Sequence, residues 1–318
     1  MLLLAYRQQD TVAEAIAGAL AQTYTQLEIV ISDDASPDDT WQAIERAVAG
    51  YDGPHRLVLN RNPSNLGIGA HLNRLVALSC GELLFVAGGD DVSLPARCAR
   101  TVTAWLASGK TLDLIATPLV DIDAAGAAHG TLRPSDLSRY RSAADWAAEP
   151  PYVVGAGQAW TRRLFERFGA LPAGTHAEDL ILVFRAIVAG GATTLDEPLV
   201  RYRRGGLSQR RRSLSAEEVR ARLLRNAEHA MVELPQLLAD AERAGVREQV
   251  AAPLERQLAR ERHIAAQLGA GGAAGRLSRF IGDRTVPFAT RLRVLAYAAC
   301  PALLAPMFAL KRARLRRR

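Results

Sequence analysis

The sequence predicts an α/β protein with a mainly parallel central sheet flanked by helices, followed by a C-terminal helical extension. Two observations carry this. Five short apolar runs, residues 2–6, 28–32, 56–60, 83–87 and 113–119, alternate with helical stretches near 11–22, 38–49, 67–79 and 95–107. Such alternation favours parallel strands with helices on both faces. Acidic pairs also stand just past apolar runs: Asp33-Asp34 after 27–32 and Asp90-Asp91 after 83–89. In open α/β sheets, ligands bind outside the carboxyl ends of strands. At 318 residues, with 49% apolar and 23% charged residues, the chain has the makeup of a folded enzyme with one substantial core or two modest ones.

Each element has its own signals. The first strand begins almost without a lead-in, consistent with a start that clips a few residues of it. Met1–Arg7 has no basic lead and too short an apolar run for a signal peptide. Thr11-x-x-Glu14 fits a capping box for the first helix. Ser36-Pro37-Asp38-Asp39 offers an N-cap, a proline at the first helical position and acids in the first turn. Asn65-Leu66-Gly67-Ile68-Gly69 is a turn into the helix that carries His71 and Asn73. Residues 123–176 are broken by Gly and Pro, as befits the second half of a cleft. A third acidic pair, Glu178-Asp179, opens a helical pattern, and a late strand at 199–202 leads into a basic loop. Ser215-x-x-Glu218 caps a helical region predicted to reach Leu268, with breaks at Pro235 and Pro253. The expected organisation is a catalytic domain over 1–212, a helical extension over 213–268, a Gly/Ala linker over 269–275 and a basic, apolar tail over 276–318.

Charge is unevenly placed. Residues 276–318 hold eleven Lys/Arg and one acid, a net of +10, against +7 for the whole chain, so residues 1–275 sum to −3. The basicity belongs to the tail, and nucleic acid is not an expected partner of the enzyme body. Cys80, Cys98 and Cys300 show no CxxC spacing and read as small core residues in a reducing compartment.

There is no GxxxxGK[ST] loop and no GxGxxG after the first strand, so P-loop phosphoryl transfer and dinucleotide binding are not expected. No HExxH or His/Cys cluster suggests zinc. Carboxylates gathered at strand ends repel one another, and a hard cation beside a diphosphate would relieve that repulsion. Each pair also has a plainer reading as turn or helix-start residues, and the ordered set weighs against it. His71 and His176 read as packing or surface residues, and Trp160 as core.

The set as a whole resembles the family 2 glycosyltransferases of the GT-A fold, whose core is a Rossmann-like sheet. The matching run is Leu3–Tyr6, Ala21–Tyr24, Glu28–Thr40, Asn65–Gly67, Gly81–Phe85, Gly89-Asp90-Asp91, Glu178-Asp179 with Arg185, and Tyr202 to Ser208. It covers roughly residues 1–210. The resemblance implies that Ala5 and Tyr6 contact the nucleotide base and that Asp33, with Asp34 beside it, binds base or ribose. It implies that Asp90 and Asp91 hold Mg²⁺ or Mn²⁺ on the diphosphate of a nucleotide-sugar donor. Asp179 would be the general base of an inverting transfer, with Glu178 and Arg204 as acceptor or phosphate contacts. The sequence departs from the family pattern at Gly88, where the first Asp of the DxD motif is usual, and at Arg204, where a His is common. These departures keep open a catalytically degenerate sugar- or membrane-binding scaffold. Nucleotidyl transfer on a related fold is the other alternative.

Residues 294–310 carry no charge, and six of the last eight residues are Lys or Arg. Seventeen residues is the short limit for a spanning helix, and Pro301 and Pro306 would kink it. An interfacial anchor on an anionic membrane is expected, with the protein cytoplasmic and peripheral on the inner face of the cell membrane. The acceptor is expected to be a saccharide or lipid-linked saccharide of surface polysaccharide assembly.

Overall fold

Leu2, Leu3 and Ala5 are all shielded from water, as a strand inside a parallel sheet covered on both faces must be. The computed structural model of the chain describes residues 1–204, 215–269 and 272–299. It makes this run β1 (Leu2–Ala5), followed by α1 (Val12–Leu20), β2 (Glu28–Asp33), α2 (Thr40–Val48), β3 (Arg56–Arg61), α3 (Ile68–Leu78) and β4 (Leu83–Gly88). These stand close to their predicted places. Then come β5 (Val92–Ser93), α4 (Arg97–Ala107), β6 (Leu114–Ala116), β7 (Leu119–Ile122), β8 (Ala128–Leu132) and α5 (Ala143–Ala148). The alternation ends with β9 (Gln158–Thr161), α6 (Arg162–Phe168), α7 (Glu178–Ile187), β10 (Ala192–Thr194) and β11 (Val200–Arg203).

A seven-stranded sheet runs in the order β10-β6-β9-β4-β1-β2-β3. Its pairings are parallel except those of β9 with β4 and β6. A second sheet has the order β5-β11-β7-β8. The predicted strand at 113–119 is two strands in two sheets. Thr117 and Pro118 part them: the proline has no N–H for a ladder, so pairing ends there and the chain crosses to the second sheet. One face of the larger sheet packs Leu3, Ile29, Ile31 and Phe85 against Val12, Ile16 and Ala19 of α1 and Ile44 of α2. Trp160 is 1% exposed and belongs to the core, and so is Cys98, whose thiol is pushed up to about 11 by burial. Cys80 is exposed instead, and Cys300 lies outside the described residues.

Two predicted caps form differently. The Thr11 hydroxyl donates to the Gly89 carbonyl at 2.9 Å, and Glu14 pairs with Arg203, so no capping box closes. α2 starts later than Ser36 because Ser36 Oγ accepts the Arg7 N–H at 2.9 Å, and the helix begins at Thr40 instead. The third cap holds: Ser215 Oγ accepts the Glu218 N–H at 3.1 Å.

The described residues fall into two compact units. One lies within residues 1–209 and 240–249, the other within 210–239 and 250–318. Beyond β11 are α8 (Ala216–Arg243), α9 (Arg247–Leu268), α10 (Ala273–Gly282) and α11 (Phe288–Ala299). α8 and α9 run through Pro235 and Pro253, where breaks were expected. Buried neighbours, Leu234 and Leu237 around one proline and Val250 and Leu254 around the other, offset the missing hydrogen bonds. The break comes at Gly245, φ 73°, where Gly245 N donates to Glu242 O and Val246 N to Ala241 O. This is a Schellman ending, which a left-handed glycine permits. α10 begins inside the predicted linker. Ala227, Ile264, Leu268, Val294 and Ala298 make the second unit's own core.

Candidate active site

The strand ends β1 and β2 are stitched together. The Ala5 carbonyl accepts the Asp34 N–H at 2.9 Å. Past them, Gln8 N donates to Thr40 Oγ1 at 2.8 Å and Asp39 N to Gln9 Oε1 at 3.0 Å. Arg7 (φ 55°) and Ala35 (φ 56°) adopt left-handed backbone without being glycine, a costly conformation that clusters at ligand sites. Ala5 is buried, whereas Tyr6 is 39% exposed with the Arg7 guanidinium over its ring.

Asp33 is fully buried at the end of β2. Its carboxylate accepts the Ser36 N–H at 3.2 Å and faces Arg61 Nε at 3.4 Å. Asp34 instead organises the loop before α3, accepting from Asn62 Nδ2 at 2.8 Å, Leu66 N at 2.9 Å and Gly67 N at 3.0 Å. Gly67, φ 76°, makes that turn possible. His71 is buried with Nε2 2.7 Å from Ser32 Oγ, and burial lowers its pKa against the opposing pull of Asp34 and Asp33. It is a packing residue, as expected; His176 is exposed.

After β4 the backbone turns back at Asp91, whose N–H bonds to the Gly88 carbonyl at 3.2 Å. A Cβ built on Gly88 would stand 2.8 Å from Asp90 Oδ1 and 3.1 Å from Asp91 Oδ2. Both carboxylates therefore fold back over the place where the family's usual Asp would sit. Burial raises the pKa of each, and Asp90 pushes Asp91 well above the usual carboxylate range. The charged pair is under-compensated, which suits a cation shared with substrate phosphate oxygens, the usual Mg²⁺ arrangement. Among the described residues no group of three or more metal-ligating side chains gathers, so the fit rests on these two carboxylates.

Arg203 closes over this pair. Its N–H donates to Asp91 Oδ1 at 2.9 Å and its Nε to the Asp90 carbonyl at 3.1 Å. Its remaining nitrogens reach the carbonyls of Asp123 and Ala124 and the Glu14 carboxylate. Beneath, buried Arg97 donates to the carbonyls of Val86 and Gln158, and desolvation lowers its pKa to about 10, leaving it charged at neutral pH. Sequence reasoning grouped Arg203 with the basic loop, gave Glu14 to a capping box and passed over Arg97 and Gln8. Arg203's place at a strand end, like Asp33's, was the available signal. Arg204 points elsewhere and forms an ion pair with Asp121. Arg210–Arg212 lie outside the described residues.

The third pair arrives from another direction. β9 runs antiparallel to β4 with Ala159 opposite Phe85, so the turn Gly155–Gly157 before it lies beside the end of β4. α7 places Glu178 and Asp179 against that turn. A Cβ on Gly155 would meet Glu178 Oε1 at 3.2 Å and Asp179 Cβ at 3.3 Å. Glu178 is buried and Asp179 half-buried. Further along α7, Arg185 is fully buried and holds Asp240 through Nε at 2.7 Å and the Gly169 carbonyl through Nη1 at 2.8 Å. Removing one partner of such a pair costs roughly 3–5 kcal/mol, so Arg185 fixes α7 rather than touching a ligand.

Carboxylates at the carboxyl ends of parallel strands stand where open α/β sheets bind ligands. Residues 2–168 match Glycosyl transferase family 2, and the chain belongs to that family. It is 30% identical to EpsE of Bacillus subtilis over 130 residues, 41% of this chain and 46% of that one. It is 36% identical over 134 residues to the succinoglycan biosynthesis protein ExoU of Rhizobium meliloti, 42% of this chain and 36% of that one. A third relative is the Escherichia coli UDP-Glc:alpha-D-GlcNAc-diphosphoundecaprenol beta-1,3-glucosyltransferase WfaP, 30% identical over 29% of this chain and 34% of that one. The matched part thus spans less than half the length of each relative. S. aureus TarS 1-349, solved with UDP-GlcNAc, shares the fold at TM-score 0.55 and 15% identity, over 93% of this chain and 90% of that one. The mannosyltransferase PcManGT of Pyrobaculum calidifontis, solved with GDP-Man and Mn2+, does so at TM-score 0.52 and 19% identity, over 96% and 85%. The fold is GT-A.

Proposed function

We propose that the chain is an inverting glycosyltransferase that moves a sugar from a nucleoside diphosphate to a saccharide or lipid-linked acceptor in cell-surface polysaccharide biosynthesis. The observation that carries this reading is that the Asp90–Asp91 pair follows the end of β4 while the Glu178–Asp179 pair packs on the Gly155–Gly157 turn beside that same end, with Tyr6 and Asp33 at the ends of the next two strands, β1 and β2. ExoU's name supports the pathway, and WfaP's supports a diphospholipid-linked acceptor. TarS with UDP-GlcNAc supports a nucleotide-sugar donor.

In this reading Tyr6 and Asp33 receive the nucleoside, with Ala5 as backbone floor and Asp34 holding the loop that borders it. Asp90 and Asp91 hold Mg²⁺ or Mn²⁺, which would supply Lewis-acid charge neutralisation for the departing nucleoside diphosphate. Asp179 takes the proton as the acceptor oxygen bonds to the anomeric carbon and the bond from that carbon to the diphosphate oxygen breaks. Glu178 lies beside it to orient the acceptor. Arg203, which touches both members of the acidic pair, supplies positive charge beside the diphosphate, and Arg204, paired with Asp121, is a further phosphate contact. The C-terminal tail holds the enzyme on the inner face of the cell membrane, near a lipid-linked acceptor.

The test is a nucleotide-sugar panel with Mn²⁺ or Mg²⁺ and membrane extract, with Asp179→Asn alongside. Transfer should fall about a hundredfold or more in the variant, with donor binding by calorimetry retained. No transfer, hydrolysis or nucleoside-diphosphate binding by the wild-type chain would sink the enzyme reading.

A further inference from the structure

α10 and α11 are built unlike the helices before them. α10 buries none of its residues. Its Leu277 (53% exposed) and Ile281 (60%) lie four apart on one face, and on α11 Phe288 (60%) and Leu292 (50%) do the same. The two stripes adjoin, because the Phe280 and Phe288 rings meet at 5.6 Å between centroids, with Arg291 over both. Soluble monomers seldom leave such contiguous apolar surface bare.

The charge around the stripes has one sign. From 272 to 299 the basic residues are Arg276, Arg279, Arg284, Arg291 and Arg293, and the sole acid is Asp283. That acid is engaged, 2.8 Å from buried His263 Nδ1 on α9. Val294 and Ala298, on another face of α11, anchor it in the second unit's core, which leaves Phe288 and Leu292 outside. No described helix is long and apolar enough to cross a membrane. A basic helix pair with one apolar face fits the headgroup boundary of an anionic bilayer.

We propose that the α10–α11 hairpin is a membrane-surface docking element, seating Leu277, Ile281, Phe288 and Leu292 among acyl chains while Arg284 and Arg293 meet anionic phospholipid headgroups. This deepens, and rests on, the reading above that the chain works at a membrane. It extends the docking surface from the extreme tail back to residues 273–293.

The experiment is co-sedimentation of the full chain with vesicles of phosphatidylcholine alone or of phosphatidylcholine mixed with phosphatidylglycerol. Leu277→Glu with Ile281→Glu, and Phe288→Glu with Leu292→Glu, should each weaken binding about tenfold or more. Arg284→Gln with Arg293→Gln should weaken it about fivefold per arginine on anionic vesicles only. The arginine variant touches no apolar surface, and unchanged melting curves confirm that all three fold. Wild-type binding by all three variants would overturn the proposal. So would unaltered lipid binding together with a dimer-to-monomer change by light scattering, which would assign the stripes to a second copy. Loss of binding on deleting 300–318 with none from the hairpin variants would refute the hairpin and leave the tail reading standing. Failure of the wild-type chain to bind any vesicle would refute both.

Discussion

Gly88 decides how the acidic pair of this chain lies. Its missing side chain is the space that Asp90 and Asp91 occupy, so a carboxylate there would not simply add a ligand. We expect Gly88→Ala to displace the Asp90 carboxylate and weaken Mn²⁺ binding by about tenfold, measured by calorimetry in the presence of nucleoside diphosphate. Asp91 makes the complementary case. Its raised pKa means that the folded chain binds more protons than the unfolded one above the ordinary carboxylate range. This pair therefore costs stability increasingly as pH rises from about 4 toward neutrality when no cation is bound. Asp91→Asn removes that cost while still accepting the Arg203 N–H. Its melting temperature relative to wild type in chelator should rise between pH 5 and pH 7.5, and its upward shift on adding Mn²⁺ with nucleoside diphosphate should vanish. A variant that melts like wild type at both pH values would contradict the buried, mutually repelling pair.

At the scale of elements, the sequence announced strands and helices well where periodicity and burial agreed. β1 to β4 were legible because each is a short, largely apolar run between turn residues, and α1 to α4 because helical stretches alternate with them. The strand at 113–119 was not, since hydrophobicity continues across Thr117 and Pro118 and only the proline's missing donor marks the change of sheet. The two prolines in α8 and α9 misled in the other direction, because packing around them outweighed a local penalty that sequence alone makes large. Thr11 and Ser36 had the right chemistry for caps but were claimed by partners distant in sequence, Gly89 and Arg7. Gly245 is the true boundary. Gly245→Ala should destabilise the protein by about 1 kcal/mol, because alanine resists the left-handed backbone, and Gly245→Asn should cost less. Chemical unfolding followed by circular dichroism checks both.

For the whole molecule, composition separated the body of the chain from its basic end, and the acidic pairs marked a candidate site. What the sequence withheld was every contact joining residues far apart: Arg203 on the acidic pair, Asp34 on the loop before α3, Arg185 on Asp240. Removing residues 300–318 takes away six Lys/Arg and should lower the fraction of protein recovered with anionic membranes, read by sedimentation of cell extracts. Equal recovery would refute the tail as anchor.

Arg203 also sets a timetable. Its contacts reach back 79 residues to Ala124, 112 to Asp91 and 189 to Glu14. Such separations are entropically dear until the intervening chain is ordered, so they close late. On a ribosome, the acidic pair would stay open to solvent, without its guanidinium clasp, until nearly the whole first unit had emerged. A nascent or truncated chain ending before Arg203 could thus own every carboxylate of the site and still be unable to hold two of them in place.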